Sequence, residues 1–188
     1  QEALAQYHLG RLSGVDGQHF PRVEHVDLEA KTPYMRMELV EGQPLEEVLN
    51  DPEKTLEERL AIGKKILVAL EVVHRNDLVH GDLSPANILV TPDGGVKLLD
   101  VGFGKIFDEG NDLVPSTAME ETSLGVASPL YAAPERFQSE FLNGCGKSSD
   151  LFSFGKVLYQ LITGENPFVI KPVSRKFPAL GEEGDRFI

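Results

Sequence analysis

Apolar residues recur along this chain with two different periods. From Thr55 the stretch TLEERLAIGKKILVALEVVH sets Leu56, Leu60, Ile66 or Leu67, Leu70 and Val73 on one face, the spacing of an amphipathic helix. Thr55 followed by Glu58 is a capping-box signal, because each side chain can satisfy a backbone N–H of the other. A second helix is predicted from Ser149 through SDLFSFGKVLYQLIT, with Gly164 as its C-cap and Pro167 beyond. Helix formers with Leu4, Leu9 and Leu12 predict another over residues 1–12, stopping at Ser13-Gly14. Shorter runs read as strands. RVEHVD from Arg22 and YMRMELV from Tyr34 are separated by the polar LEAKTP loop of a hairpin. ILV and VKLL flank TPDGG, whose Asp93-Gly94 pair signals a tight turn. From Phe103 to about Ser128 runs a loop of mixed polarity, longer than connections in compact domains usually are.

Composition narrows the class. With 188 residues, 41% of them hydrophobic, the chain can bury a sizeable core as one domain or little more. The longest apolar stretches, around residues 66–73 and 151–162, are interrupted by Glu71 and Lys156, so no membrane span is expected. A formal charge of -12 argues against general binding to a phosphate backbone, and no nucleic-acid partner is expected. Cys145 is the only cysteine, which rules out an internal disulfide and fits a reducing, cytoplasmic setting. The chain opens on Gln1 in a helix-like stretch without the parts of a signal peptide, and is expected to be an interior piece of a longer protein.

The candidate chemistry lies in HGDLSPANILV, residues 80–90. Asp82 and Asn87 sit on the loop before the second hairpin, and Asp100 follows it directly. Folding the hairpin returns Asn87 and Asp100 to the same end of its two strands. Oxygen donors so placed suit magnesium, which takes few protein ligands and completes its shell with water and phosphate oxygens. Asp82 is then left to accept a proton from a hydroxyl nucleophile or to orient it. For any one of the three alone the plainer reading is favoured, with Asp82 and Asn87 as turn residues capping their own backbone and Asp100 as the end of a strand.

Taken together, the motifs resemble the protein kinase family. HGDLSPAN from His80 is similar to the catalytic loop H-R-D-L-x-x-x-N, DVG from Asp100 to D-F-G, and AAPE ending at Glu135 contains A-P-E. SPLYAAPE from Ser128 resembles the substrate-docking loop, SDLFSFG the helix that anchors the large lobe, and YMRMELVEG the last small-lobe strand and hinge. The resemblance implies an α+β, protein kinase-like fold: residues 1–40 a remnant of the small lobe, and 41–188 the large catalytic lobe, cut before its last helices. It implies ATP and Mg2+ as cofactors and a protein substrate. Asp82 would be the catalytic base, and Asn87 and Asp100 would hold the metal against the ATP phosphates. Met37 would back the adenine pocket, the backbones of Glu38 and Val40 would face the adenine edge, and Leu89 would lie under the ring. His80 and Asp150 would be buried supports.

Four departures from the family pattern stand out. Gly81 replaces the arginine before the catalytic aspartate, removing the usual cationic partner of an activation-loop phosphate. Ser84 stands where serine/threonine kinases carry a lysine that touches the transferred phosphate, and Val101 replaces the phenylalanine of D-F-G. No glycine-rich loop or V-A-I-K-like strand opens the chain, and GFGK from Gly102 comes too late to serve. Glu2 is a candidate partner for the lysine of that strand. The leading expectation is an ATP-dependent protein serine/threonine kinase of bacterial type, inactive in residues 1–188 alone. Ser128-Pro129 supports the serine/threonine class. A pseudokinase scaffold would be expected to lose Asp82, Asn87 or Asp100, and a small-molecule phosphotransferase shares the H-G-D form but lacks the A-P-E segment.

Overall fold

The computed structural model describes residues 17–27, 29–32, 34–101, 130–137 and 146–178. The helix expected over residues 1–12, the loop from Phe103 to Ser128 with GFGK, and Cys145 lie outside them. A short 3-10 turn at Gly17–His19 leads to β1 (Val23–Asp27), which pairs antiparallel with β2 (Tyr34–Met37). Strand β2 is shorter than the YMRMELV run suggests. The Glu38 N–H still donates to the Arg22 carbonyl at 2.9 Å, but Pro21 has no N–H to carry the ladder further.

A second antiparallel sheet has the order β3 (Gln43–Pro44), β4 (Ile88–Val90) and β5 (Val96–Leu98). Ile88 pairs with Leu98, Leu89 with Lys97 and Val90 with Val96. Between them the Gly94 N–H donates to the Thr91 carbonyl at 2.8 Å, the tight turn that Asp93-Gly94 predicts. Strand β3 and the helix α1 (Leu45–Leu49) that follows it were not legible as separate elements.

Helix α2 (Leu56–Arg75) starts where the capping box places it. The Thr55 hydroxyl accepts from the Glu58 N–H at 3.2 Å, and the Glu58 carboxylate accepts from the Thr55 N–H at 2.8 Å. Of the expected face Ile66, Leu70 and Val73 are covered, joined by Ile62 and Ala69, whereas Leu60 and Leu67 are 40% and 43% exposed. The face is set by what α2 packs on, namely β5 and helix α3 (Lys147–Thr163). At the α2–α3 crossing Gly63 lies so close that a Cβ there would come within 2.9 Å of Leu158 Cδ1.

Helix α3 begins at Lys147, two residues ahead of the Ser149 start read from the sequence, with Gly146 at its N-cap. It ends as expected: Gly164 adopts φ of 68° and its N–H returns to the Gln160 carbonyl at 2.7 Å. The main core joins Phe20, Leu45, Ile66, Leu70, Ile88 and Leu98, all nearly or fully covered. Each such side chain contributes roughly 1.5–3 kcal/mol of hydrophobic stabilisation. A smaller cluster of Tyr159, Ile162 and Val173 closes the far end of α3. Among the described residues, no helix is long and apolar enough to cross a membrane.

Candidate active site

The loop at residues 80–87 has almost no regular structure of its own, and α3 supplies what holds it. Asp150, 1% exposed, accepts from three N–H groups. His80 N and His74 Nε2 lie 2.8 Å from its Oδ2, and Gly81 N lies 2.8 Å from its Oδ1. His80 is fully buried, as the expected supporting role requires, and its Nδ1 accepts from the Asp82 N–H at 3.3 Å. Gly81 has φ of 80°, a left-handed conformation that glycine adopts without the Cβ penalty of other residues. The change from arginine therefore has a backbone consequence as well as the loss of charge.

Beyond Asp82 the chain turns through Pro85–Asn87. Ser84 caps this turn, its carbonyl accepting from the Asn87 N–H at 3.0 Å while its side chain is buried. The Asn87 amide nitrogen donates to the Asp82 backbone carbonyl at 2.8 Å and to Asp82 Oδ2 at 3.0 Å. The first bond ties Asn87 to the Asp82 backbone and the second holds the Asp82 carboxylate, and together they turn the amide oxygen of Asn87 away from it. The Asn87 carbonyl also accepts from the Leu99 N–H at 2.9 Å, which brings the exit of β5, and with it Asp100, beside Asn87. Asp100 is half-buried with φ of 52°, a conformation that aspartate tolerates better than most residues. Burial pushes its carboxyl above the usual aspartate range. Val101 is fully buried in the main core.

Met37 closes β2, and Glu38 and Val40 follow in the segment after it. Met37 stands opposite Val23 and is half-buried, Leu39 is 95% exposed, and Val40 is half-buried. The Glu38 carboxylate forms an ion pair with the Lys97 ammonium, whose hydrogen bond holds its pKa below the usual glutamate range. Leu89 is half-buried on β4, directly across from Lys97. Sequence reading did not single out Lys97, although a lysine within the otherwise apolar VKLL is a signal in itself, nor did it single out His74.

The protein kinase domain family matches residues 13–180 of this sequence. This chain belongs to the protein kinase family. A Streptomyces coelicolor protein named "Probable serine/threonine-protein kinase" is 36% identical over 155 residues, covering 80% of this chain and 22% of that protein. PknA of Mycobacterium tuberculosis, a serine/threonine-protein kinase, is 34% identical over 141 residues, covering 74% of this chain and 30% of its own length. PknB of Mycobacterium leprae, a serine/threonine-protein kinase, is 29% identical over 153 residues, with 80% and 23% covered. The chain thus spans less than a third of each of these relatives.

The A-P-E segment of this kinase domain is held by the same helix as the loop at residues 80–87. The Ser149 hydroxyl donates to the Glu135 carboxylate at 2.6 Å, and Lys156 Nζ donates to the Leu130 carbonyl at 2.8 Å. The Tyr131 hydroxyl donates to the side chain of Gln160, and burial, with the Glu46 charge, pushes its pKa up to about 12. Ser128 and Pro129 lie outside the described residues.

Proposed function

We propose that this chain is the catalytic part of a protein serine/threonine kinase, which transfers the terminal phosphate of ATP to a hydroxyl on a protein. One observation carries the reading: the paired hydrogen bonds from the Asn87 amide to Asp82, in the turn just before β4, whose partner strand β5 leads straight to half-buried Asp100. Family membership and the serine/threonine relatives support the substrate class.

In this reading Asp82 is the catalytic base. Its carboxylate takes the proton as the substrate hydroxyl oxygen bonds to the terminal phosphorus and the bond to the β-phosphate breaks, releasing ADP. The Asn87 bonds to Asp82 hold that carboxylate in place before substrate arrives. The amide oxygen of Asn87 and the carboxylate of Asp100 are hard oxygen donors, and they would hold Mg2+. A bound cation also favours the ionised form of Asp100, which burial alone disfavours. When bound, magnesium neutralises charge on the ATP phosphates. Met37 backs the adenine, the Glu38 carbonyl and Val40 N–H meet its edge, and Leu89 lies beneath the ring. The hinge divides residues 1–40, of the small lobe, from 41–188, of the large lobe. A cytoplasmic location belongs to the same proposal, supported by the single cysteine.

The test is Asp82→Asn in the full-length protein, with phosphate transfer from ATP to protein and nucleotide binding measured side by side. Turnover is expected to fall by about 10²–10⁴-fold, the contribution of a positioned base, with nucleotide affinity nearly unchanged. Turnover equal to wild type would remove Asp82 from the role. A wild type that binds ATP without transferring phosphate would favour the scaffold reading.

A further inference from the structure

Lys97 occupies the middle of β5 in a run of apolar residues, and its side chain is only 17% exposed. Pairing opposite Leu89 puts the two side chains on the same face of the β4–β5 ladder. From there its ammonium reaches two other segments. It forms an ion pair with the Glu38 carboxylate at the exit of β2, and it donates to the carbonyl of buried Phe20, just before β1, at 3.3 Å. A charge drawn this far out of water is tolerated only when paired and hydrogen-bonded, and both conditions are met.

The bridge connects parts that share no other regular pairing. Strands β1 and β2 form one sheet and β3, β4 and β5 another, with no ladder between them among the described residues. Leu39, the next residue after Glu38, is 95% exposed and adds almost no packing there. The segment runs on into β3, whose Pro44 pairs with Leu89, so its far end is held by the ladder and its near end by what holds Glu38. Its backbone N–H is tied to Arg22 and its carboxylate to Lys97.

We propose that Lys97 is a positioning residue for the nucleotide: by bridging Glu38 and the Phe20 carbonyl it sets the width of the adenine slot between the Glu38–Val40 edge and Leu89. The inference rests on the kinase reading above. Lys97 touches no reacting atom in it, so its removal acts on binding and leaves the chemical step alone.

The experiment compares wild type, Lys97→Met, Lys97→Arg and the double variant Lys97→Met/Glu38→Gln in the full-length protein. Three quantities are read: the ATP KM, kcat, and the Kd for adenosine in metal-free buffer, which reports the slot without phosphates or magnesium. Lys97→Met should raise KM and the adenosine Kd together by about tenfold, the loss expected for one charge-assisted hydrogen bond, with kcat held within about twofold of wild type. Lys97→Arg should retain most of the affinity, because it restores the cation and its donors. The double variant should remain weak, since removing the stranded carboxylate does not rebuild the bridge. Wild-type adenosine binding in Lys97→Met, even with a lowered melting temperature, would overturn the proposal while leaving kinase activity standing. Recovery in the double variant would overturn it too, because it would trace the defect to an unpaired charge. A wild type that neither binds adenosine nor transfers phosphate would overturn the kinase reading and this proposal together.

Discussion

Replacing Asp150 with asparagine changes one atom and very little volume, yet it strikes the group on which the loop at residues 80–87 hangs. Three N–H groups converge on that carboxylate at 2.8 Å each. An asparagine turned to serve His74 and His80 with its oxygen faces the Gly81 N–H with its own NH2. One buried donor is then left unsatisfied, at a cost of about 1–3 kcal/mol, and the two surviving bonds lose their charge assistance, about 1 kcal/mol each. The opposite orientation keeps the Gly81 bond but strands the His80 N–H, with His74 served only after its ring changes to the tautomer that accepts at Nε2. The expected loss is about 3–5 kcal/mol, a large part of the 5–15 kcal/mol that stabilises a typical domain. Urea unfolding of wild type and variant, with equal slopes checked first, measures it. Hydrogen exchange at the His80 and Gly81 amides locates it, and both should exchange faster in the variant. A loss below about 1 kcal/mol with unchanged exchange at Gly81 would refute the claim that this carboxylate holds the loop.

Three further outcomes follow from the backbone and from burial. Gly81→Ala should destabilise by about 1–2 kcal/mol, because the native φ of 80° places a Cβ against the following carbonyl; an unchanged urea midpoint would count against the left-handed geometry. Gly164→Ala should lose about 1 kcal/mol from φ alone, since the nearest atom to a new Cβ is Lys176 Nζ at 4.0 Å; thermal unfolding reads it, and a stabilised variant would contradict it. Burial raises the Asp100 pKa, so the folded chain keeps this proton to higher pH than the unfolded chain does. In the metal-free protein its contribution to stability is therefore lost as pH rises through a window that opens near the ordinary value of 3.8 and closes at the raised folded value. Asp100→Asn should gain on wild type across that window in urea midpoints taken along an acid series, and a constant difference would refute the shift.

What was legible in the sequence was mostly local. The Thr55–Glu58 box and the Gly164 cap are decided within one turn of chain, and both stand where the residues predict. The approach of Asn87 and Asp100 follows from a hairpin whose turn residues are unambiguous. The buried stripe of α2 was less legible, because periodicity fixes the spacing of apolar positions and not the stripe's centre. Leu60 and Leu67 qualified by spacing, and the placement of β5 and α3 left them outside. Asp150 was singled out only through family resemblance, since 69 and 70 residues separate it from the amides it holds. The Lys97–Glu38 pair, 59 residues apart, carried no local mark beyond a lysine in an apolar run. Gly81 looked like a missing charge, because a sequence does not display φ.

Ser149 and Asp150 are neighbours on the first turn of α3, yet one holds Glu135 of the A-P-E segment and the other holds His80 and Gly81. The order of folding follows from this adjacency. Helix α2 and the β4–β5 hairpin close over short stretches of chain and can form early, whereas the loop at residues 80–87 gains its partner only when a loop of about 70 residues closes. The site is therefore expected to assemble late, after much of the secondary structure around it exists. Because one helical turn carries both anchors, the loop and the A-P-E segment are captured in a single docking event and released in a single undocking. Refolding followed by a backbone probe should run ahead of refolding followed by exchange protection at His80 and Gly81, and a probe of the Ser149–Glu135 side-chain contact should keep time with the latter.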